Sequence, residues 1–272
     1  MKKIIKYLFL LTGGSFILAS CNDFLDREPL DSVTPDNFFF TENDLAAYAV
    51  KHYNFTTHEG FNAGIWRNDN ATDNQAATDY DKKWIPGQWK VPEAYDNPAS
   101  NDPWYFSAIR EANYFLETVV PRFEKGEIEG SETNIKHYIG EMYFLRAKNY
   151  LSKLETFGDF PIIKNTLPDE SVSLIQASKR EPRHKVARFI LEDLDLAIGL
   201  LTNTISGGKN RITKNAALLL KSRAALYEAS WLTYHKGTAL VPGGPGWPGK
   251  AEDIADFNID TEIAFFLKEA KA

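Results

Sequence analysis

Beyond residue 102 apolar positions recur every three or four residues, the spacing that gathers them on one face of an α-helix. Tyr105, Ala108, Ile109, Ala112, Phe115, Leu116 and Val119 form the first such stripe, and Asp102-Pro103 before it reads as a cap followed by a first-turn proline. A second helix is predicted over about 131–156, carrying Ile135, Tyr138, Ile139, Met142, Leu145 and Leu154; Gly158 and Pro161 stop it. A third, about 184–202, shows Val186, Ile190, Leu194, Ala197, Ile198 and Leu201. A fourth begins at Thr213 and runs through Ala217, Leu220, Ala224, Tyr227 and Trp231 to about His235. The last starts at Asp260 and offers Ile263, Phe266, Leu267 and Ala270. Ahead of them, Thr41-Glu42-Asn43-Asp44 predicts a short helix through Leu45, Tyr48 and Ala49 to Tyr53, with a hydroxyl cap and acids where the helix dipole favours them.

Helices in succession joined by turns predict a mainly all-α fold of stacked hairpins, as in tetratricopeptide arrays. Ala216, Ala217, Ala224, Ala225 and Ala229 would let neighbouring helices approach closely. No clean self-similarity at the expected period accompanies them, so periodicity alone gives hairpins and not tetratricopeptide units. The helix from Asp260 reaches Ala272 without a cap or proline, and its apolar face has no later element to meet. That predicts a truncated reading frame.

The amino terminus breaks the pattern. Lys2, Lys3 and Lys6 precede an apolar run from Tyr7 through Leu11 and on through Phe16, Ile17 and Leu18, a secretory signal too short to stay as a membrane span. It ends at Leu18-Ala19-Ser20-Cys21, which resembles the bacterial lipobox and implies cleavage after Ser20 and lipidation of Cys21. Cys21 is the single cysteine of the chain, so lipid would consume the one thiol. At about 0.8 kcal/mol per buried methylene, several acyl chains hold a protein stably. The expected organisation is a signal peptide over 1–20, a lipid-anchored tether over 21–40 and a helical domain over 41–272.

The net charge of −6 is spread among interspersed acids and bases, with no concentrated basic face for nucleic acid. The informative feature is the long irregular stretch of about 54–102, because loops of that length usually serve binding. There Trp66, Tyr80, Trp84 and Trp89 stand among Asn68, Asp69, Asn74, Gln75, Asp79 and Asp81. Glycan binding asks for this mixture: flat rings stack on the apolar face of a sugar, and carboxylates and amides bond its hydroxyls. The alternative is that these rings pin the loop onto the helices. From them the candidate ligand contacts are Trp66, Tyr80, Trp84, Trp89, Asp69, Asn74, Asp79 and Asp81.

Other chemistry finds little support. Trp104 and Trp231 sit in helical patterns and are expected in the core, while Arg146 and Arg223, within apolar helices, call for ion-pair partners such as Glu141, Glu111 or Asp193. Gly244-Pro245-Gly246-Trp247-Pro248-Gly249 fits the letters of a dinucleotide fingerprint, but no strand precedes it and its prolines remove amide donors, so it reads as a surface loop. Trp247 could still touch a ligand. The five histidines show no metal-ligand spacing, no cofactor is implied, and Asp193 and Asp195 point to different sides of a helix. Residues 68–81 lack the spacing of a calcium loop, which leaves only a looser calcium site open.

Several segments together resemble the SusD/RagB family of outer-membrane nutrient-binding lipoproteins. They are Phe24-Leu25-Asp26 with Pro29, the stretch from Thr34 to Leu45, and Trp104 through Asn113. Glu141-Met142-Tyr143-Phe144-Leu145-Arg146-Ala147 with Tyr150, then Phe157-Gly158-Asp159-Phe160-Pro161, follow in order. So do Asp193-Leu194-Asp195-Leu196-Ala197, the run Arg211-Ile212-Thr213-Lys214 with Ala216, Ala217, Arg223 and Tyr227, and Trp231-Leu232-Thr233-Tyr234-His235. The resemblance implies tetratricopeptide-like hairpins with loop-rich insertions. It implies a lipoprotein facing outward from the outer membrane that binds glycans or peptides without catalysis and serves a TonB-dependent, SusC-like transporter. Members are about twice this length, so the chain looks like an amino-terminal half. Two other readings stand beside it: a lipid-anchored helical-repeat adaptor for protein, and a glycoside hydrolase, which would need two carboxylates across a cleft.

Overall fold

The computed structural model describes residues 38–53, 55, 104–204 and 210–271. Phe39–Ala272 form one compact unit, taken here by itself. Its helices are α1 (Glu42–Lys51), α2 (Ser107–Lys125), α3 (Glu132–Phe157), α4 (Ser171–Ala177), α5 (Arg183–Leu200), α6 (Lys214–Tyr234) and α7 (Ile259–Glu269), with a 3₁₀ turn at Ala251–Ile254. No β-strand occurs among the described residues.

Local chemistry sets most of the ends. Thr41 closes a capping box on α1 with Asp44, and the side chains of Thr213 and Asn258 accept amide protons at the starts of α6 and α7. Gly126, at φ 72°, ends α2 in a Schellman turn: its amide bonds the Phe123 carbonyl, and the Glu127 amide bonds Arg122. Departures from the sequence expectation are confined to two places. α2 starts at Ser107 rather than after Asp102, because the Trp104 and Phe106 rings are drawn into an aromatic cluster with Phe157 and Phe160 and hold that segment out of the helix. α4 was not visible in the apolar pattern, since none of its seven residues is buried.

Successive helices pack antiparallel. Lys153, late on α3, donates to the carbonyl of Tyr105 just before α2, while Asn134 at the start of α3 lies beyond the end of α2. His137, early on α3, shares a hydrogen bond with Thr202 just past α5, and Arg183, first residue of α5, comes within 3.2 Å of the position a Cβ would take on Gly158. Arg183 also reaches Glu228, late on α6, and Lys236 after α6 meets Asp260 at the start of α7. The architecture is the mainly all-α array of hairpins that the periodicity indicated, tetratricopeptide-like as the resemblance implied. α3 lies at its centre and is buried around much of its circumference, which explains why its apolar stripe is broad.

The alanines of α6 act as expected: Ala217, Ala224, Ala225 and Ala229 are fully buried. A further close approach runs through Gly140, where an added Cβ would stand 3.0 Å from Leu201 Cγ. The last helix does find a partner. Phe266 of α7 is fully buried, and α7 packs on α6, which precedes it. At the other end, Phe39 adopts φ 70°, a conformation rare for a ring-bearing residue. Its ring is inaccessible to solvent and meets Tyr48 and Phe115 edge-on, at 5.0 and 5.3 Å, which offsets the backbone cost.

Three ion pairs tie the helices from within. Arg146 binds both oxygens of Asp193 at 2.8 and 2.7 Å and donates to Asn113 Oδ1 at 2.8 Å. Arg183 grips Glu228, and Arg211 grips Glu141. Arg146 therefore has the Asp193 partner expected for it. Glu141 instead serves Arg211, Glu111 faces Lys51 and His52, and Arg223 is exposed. Asp195, two residues from Asp193, faces the opposite way and bonds Lys221 at 2.7 Å.

Candidate functional site

The residues singled out for ligand contact, Trp66, Asp69, Asn74, Tyr80, Trp84, Trp89, Asp79 and Asp81, lie outside the described residues, as does Cys21. Within them, the features suited to a ligand gather around the turn that ends α3. Gly158 takes φ 71° and ψ −100° there, a backbone geometry for which glycine is suited, and swings the chain back across the end of the helix. Phe160 then pairs with Glu181 in a two-bond antiparallel bridge, each amide 3.1 Å from the other's carbonyl. That bridge brings the segment before α5 alongside the turn.

Asp159 is the latch. Its Oδ1 accepts the amide of Arg183 at 2.8 Å, capping a helix whose own N-cap residue is Pro182 and makes no side-chain bond. Its Oδ2 accepts the indole N–H of Trp247 at 2.8 Å and so fastens the glycine- and proline-rich loop of 236–250 to the turn. This is the stretch that mimics a dinucleotide fingerprint; it lies in a run of turns with no strand before it. The Trp231 indole donates to the Leu240 carbonyl at 3.0 Å, and the Arg183 guanidinium lies over its ring at 4.2 Å.

Two cavities flank the turn. One, about 320 Å³, is lined by Glu155, Thr156, Asp159, Arg180 and the two rings Trp231 and Trp247, among others. Burial pushes the Glu155 carboxyl upward from its ordinary range, against the pull of Arg223. The second, about 290 Å³, has an apolar wall of Trp104, Phe106, Pro161, Ile163 and Leu174, with Arg110, Asn113, Asn165 and Ser178 at its polar positions. Asn113 has no solvent-accessible surface and is fixed by donating to the carbonyls of Ile163 and Asn165. Both cavities stand near the lower end of the ~300–1,000 Å³ usual for ligand clefts, and both combine rings with a few oriented polar groups.

Trp104 and Trp231 are thus half-buried cavity walls rather than the core residues their helical spacing suggested. Trp104 precedes its helix, and Trp231 meets the 236–250 loop as well as the first residue of α5. Periodicity cannot register either fact, since it reports a face and not what the face meets. Trp247, left open as a ligand contact, does line a cavity.

Comparison with known proteins bears on what such a site serves. The model of a SusD-like family, described as starch-binding and associating with the outer membrane, matches residues 23–226. SusD-like protein P2 of Formosa agariphila is 27% identical over 258 residues, covering 92% of this chain and 45% of its own. SusD-like protein P25 of the same organism is 23% identical over 287 residues, all of this chain and 52% of its own. The chain therefore spans about half the length of these curated relatives. A crystal structure of a SusD-like protein from Bacteroides fragilis superposes with a TM-score of 0.55 at 26% identity, covering 75% of this chain and 38% of that one.

Proposed function

The chain belongs to the SusD-like family, and on that premise we propose that it is a glycan-binding lipoprotein of the outer-membrane surface, working with a TonB-dependent, SusC-like transporter in nutrient uptake. The observation that carries the binding part is the pair of ring-lined cavities at the α3 turn. Trp231 and Trp247 on one side and Trp104 and Phe106 on the other offer apolar surface to a sugar, beside amides, carboxylates and guanidinium groups for its hydroxyls. Trp66, Tyr80, Trp84 and Trp89, with Asp69, Asn74, Asp79 and Asp81, are proposed to add contacts from the 54–102 stretch. Lipidation of Cys21 is proposed as the attachment to the outer membrane, with the protein facing the exterior. Binding without catalysis follows from the family resemblance.

The test is a titration of the full chain with a panel of soluble oligosaccharides, followed by tryptophan fluorescence and calorimetry. Saturable quenching by at least one glycan is expected, with the sugar recovered intact. No response across the panel would move the reading to a helical-repeat adaptor that binds protein, and hydrolysis would make it an enzyme.

A further inference from the structure

The two cavities differ in charge. On the Trp231–Trp247 side, Glu155 and Asp159 line the cavity together with Arg180, and the charge of Arg183 is taken up by Glu228 at 2.8 Å. On the Trp104–Phe106 side, no carboxylate lines the cavity among the described residues, while Arg110 does. Glu117, further along the Arg110–Asn113 face of α2, is engaged by the amide and hydroxyl of Thr166.

A second cation stands against one of its rings. The guanidinium of Arg180 lies over the Trp104 ring at 4.9 Å and lines the neighbouring cavity. Its backbone is held by the Phe160–Glu181 bridge next to it. Its sequence neighbours are matched with opposite charges, Lys179 with Asp253 and Glu181 with Lys185. Arg180 and Arg110 make no ion pair among the described residues, and both are exposed. Arg110 therefore lines a ring-walled cavity without a carboxylate among the described residues, and Arg180 adds a second positive charge behind its Trp104 ring, in a chain whose net charge is −6 and whose average field repels anions.

We propose that the Trp104–Phe106 cavity binds an acidic sugar, with Arg110 receiving a uronate or sulfate group and Arg180 adding its charge from across the Trp104 ring, while the rings stack on the pyranose face. This rests on the glycan-binding reading and deepens it. Guanidinium groups suit the task, since their planar forks bond carboxylate and sulfate oxygens in pairs. Asn165 and Ser178 would take hydroxyls of the same ring.

The experiment measures, by calorimetry on the full chain, the affinities for an oligouronate, a sulfated oligosaccharide and a neutral oligosaccharide of equal length. Each is repeated at low and high salt and with Arg110→Gln, Arg180→Gln and the control Lys136→Gln, at the opposite end of α3 from the turn, after melting curves show all three folded. The expected result is preference for one or both acidic ligands, weakened by salt, by about tenfold or more in Arg110→Gln and by less in Arg180→Gln, with the control unchanged. Which acidic ligand wins identifies the anion. Neutral binding equal to or better than acidic binding, or acidic binding untouched by both arginine variants, overturns the inference and leaves glycan binding standing. Failure of all three sugars overturns both.

Discussion

Arg146 sits on the central helix, nearly buried, with its charge answered by Asp193, which is 1% exposed. Removing one partner of such a pair leaves the other charged and dry, so Arg146→Ala is expected to cost about 3–5 kcal/mol in urea unfolding. The double variant Arg146→Met, Asp193→Leu should recover much of that loss, because it removes the desolvated charges together. His184 makes a different demand. It is buried against Phe257 with its Nδ1 lacking a hydrogen-bond partner, and burial first, then Lys185 and Arg188, lower its pKa to about 4. Between that value and the ordinary 6.5 the unfolded chain binds the proton and the folded one does not. The contribution is therefore fully present above the unfolded value and is lost as pH falls toward 4, by up to about 3 kcal/mol. The stability difference between wild type and His184→Gln, followed from pH 7 to 4, should narrow across that window; an unchanging difference would contradict it. The need of Arg146 for a partner was legible in the sequence because a charge in an apolar stripe must be answered, but Asp193 was one of three candidate acids. The burial of His184 was not legible, since its environment is built by Phe257, more than seventy residues away.

Elements stood out in the sequence where they bury a stripe. α1, α3, α5, α6 and α7 fall within about two residues of their predicted ends, as caps and apolar spacing together dictate. α4 could not be seen because it buries nothing, and the start of α2 was displaced by rings that prefer the Phe157–Phe160 cluster. The turn after α3 was legible as a helix stop but not as a junction. Asp159 caps α5 and holds Trp247 at once, so Asp159→Ala is expected to destabilise the unit by about 1–2 kcal/mol. It should also speed proteolysis within 236–250 and change Trp247 emission. Cleavage and emission like those of the wild type would show that the latch does not hold the loop.

At the scale of the molecule, the antiparallel order of helices puts residues distant in sequence around one turn: Trp104, Asp159, Arg180, Trp231 and Trp247. No helix among the described residues is long and apolar enough to cross a membrane. In the proposed function, Cys21 supplies the attachment. Cys21→Ser expressed in a bacterial host should fail to incorporate palmitate and should leave the membrane fraction; labelling equal to wild type would remove the lipid anchor from the proposal.

The sequence by itself determined the helical class, most helix ends, the need of Arg146 for an acidic partner and, through ordered motifs, the family. These depend on neighbours within a few turns, or on the rule that a buried charge needs a partner. Only the tertiary structure decided that Trp104 and Trp231 face cavities instead of core, that Asp159 joins helix to loop, and that Arg110 lines a cavity whose Trp104 ring lies under Arg180. Each depends on which faces meet across the array, and a helical period records that a face is apolar without recording what covers it.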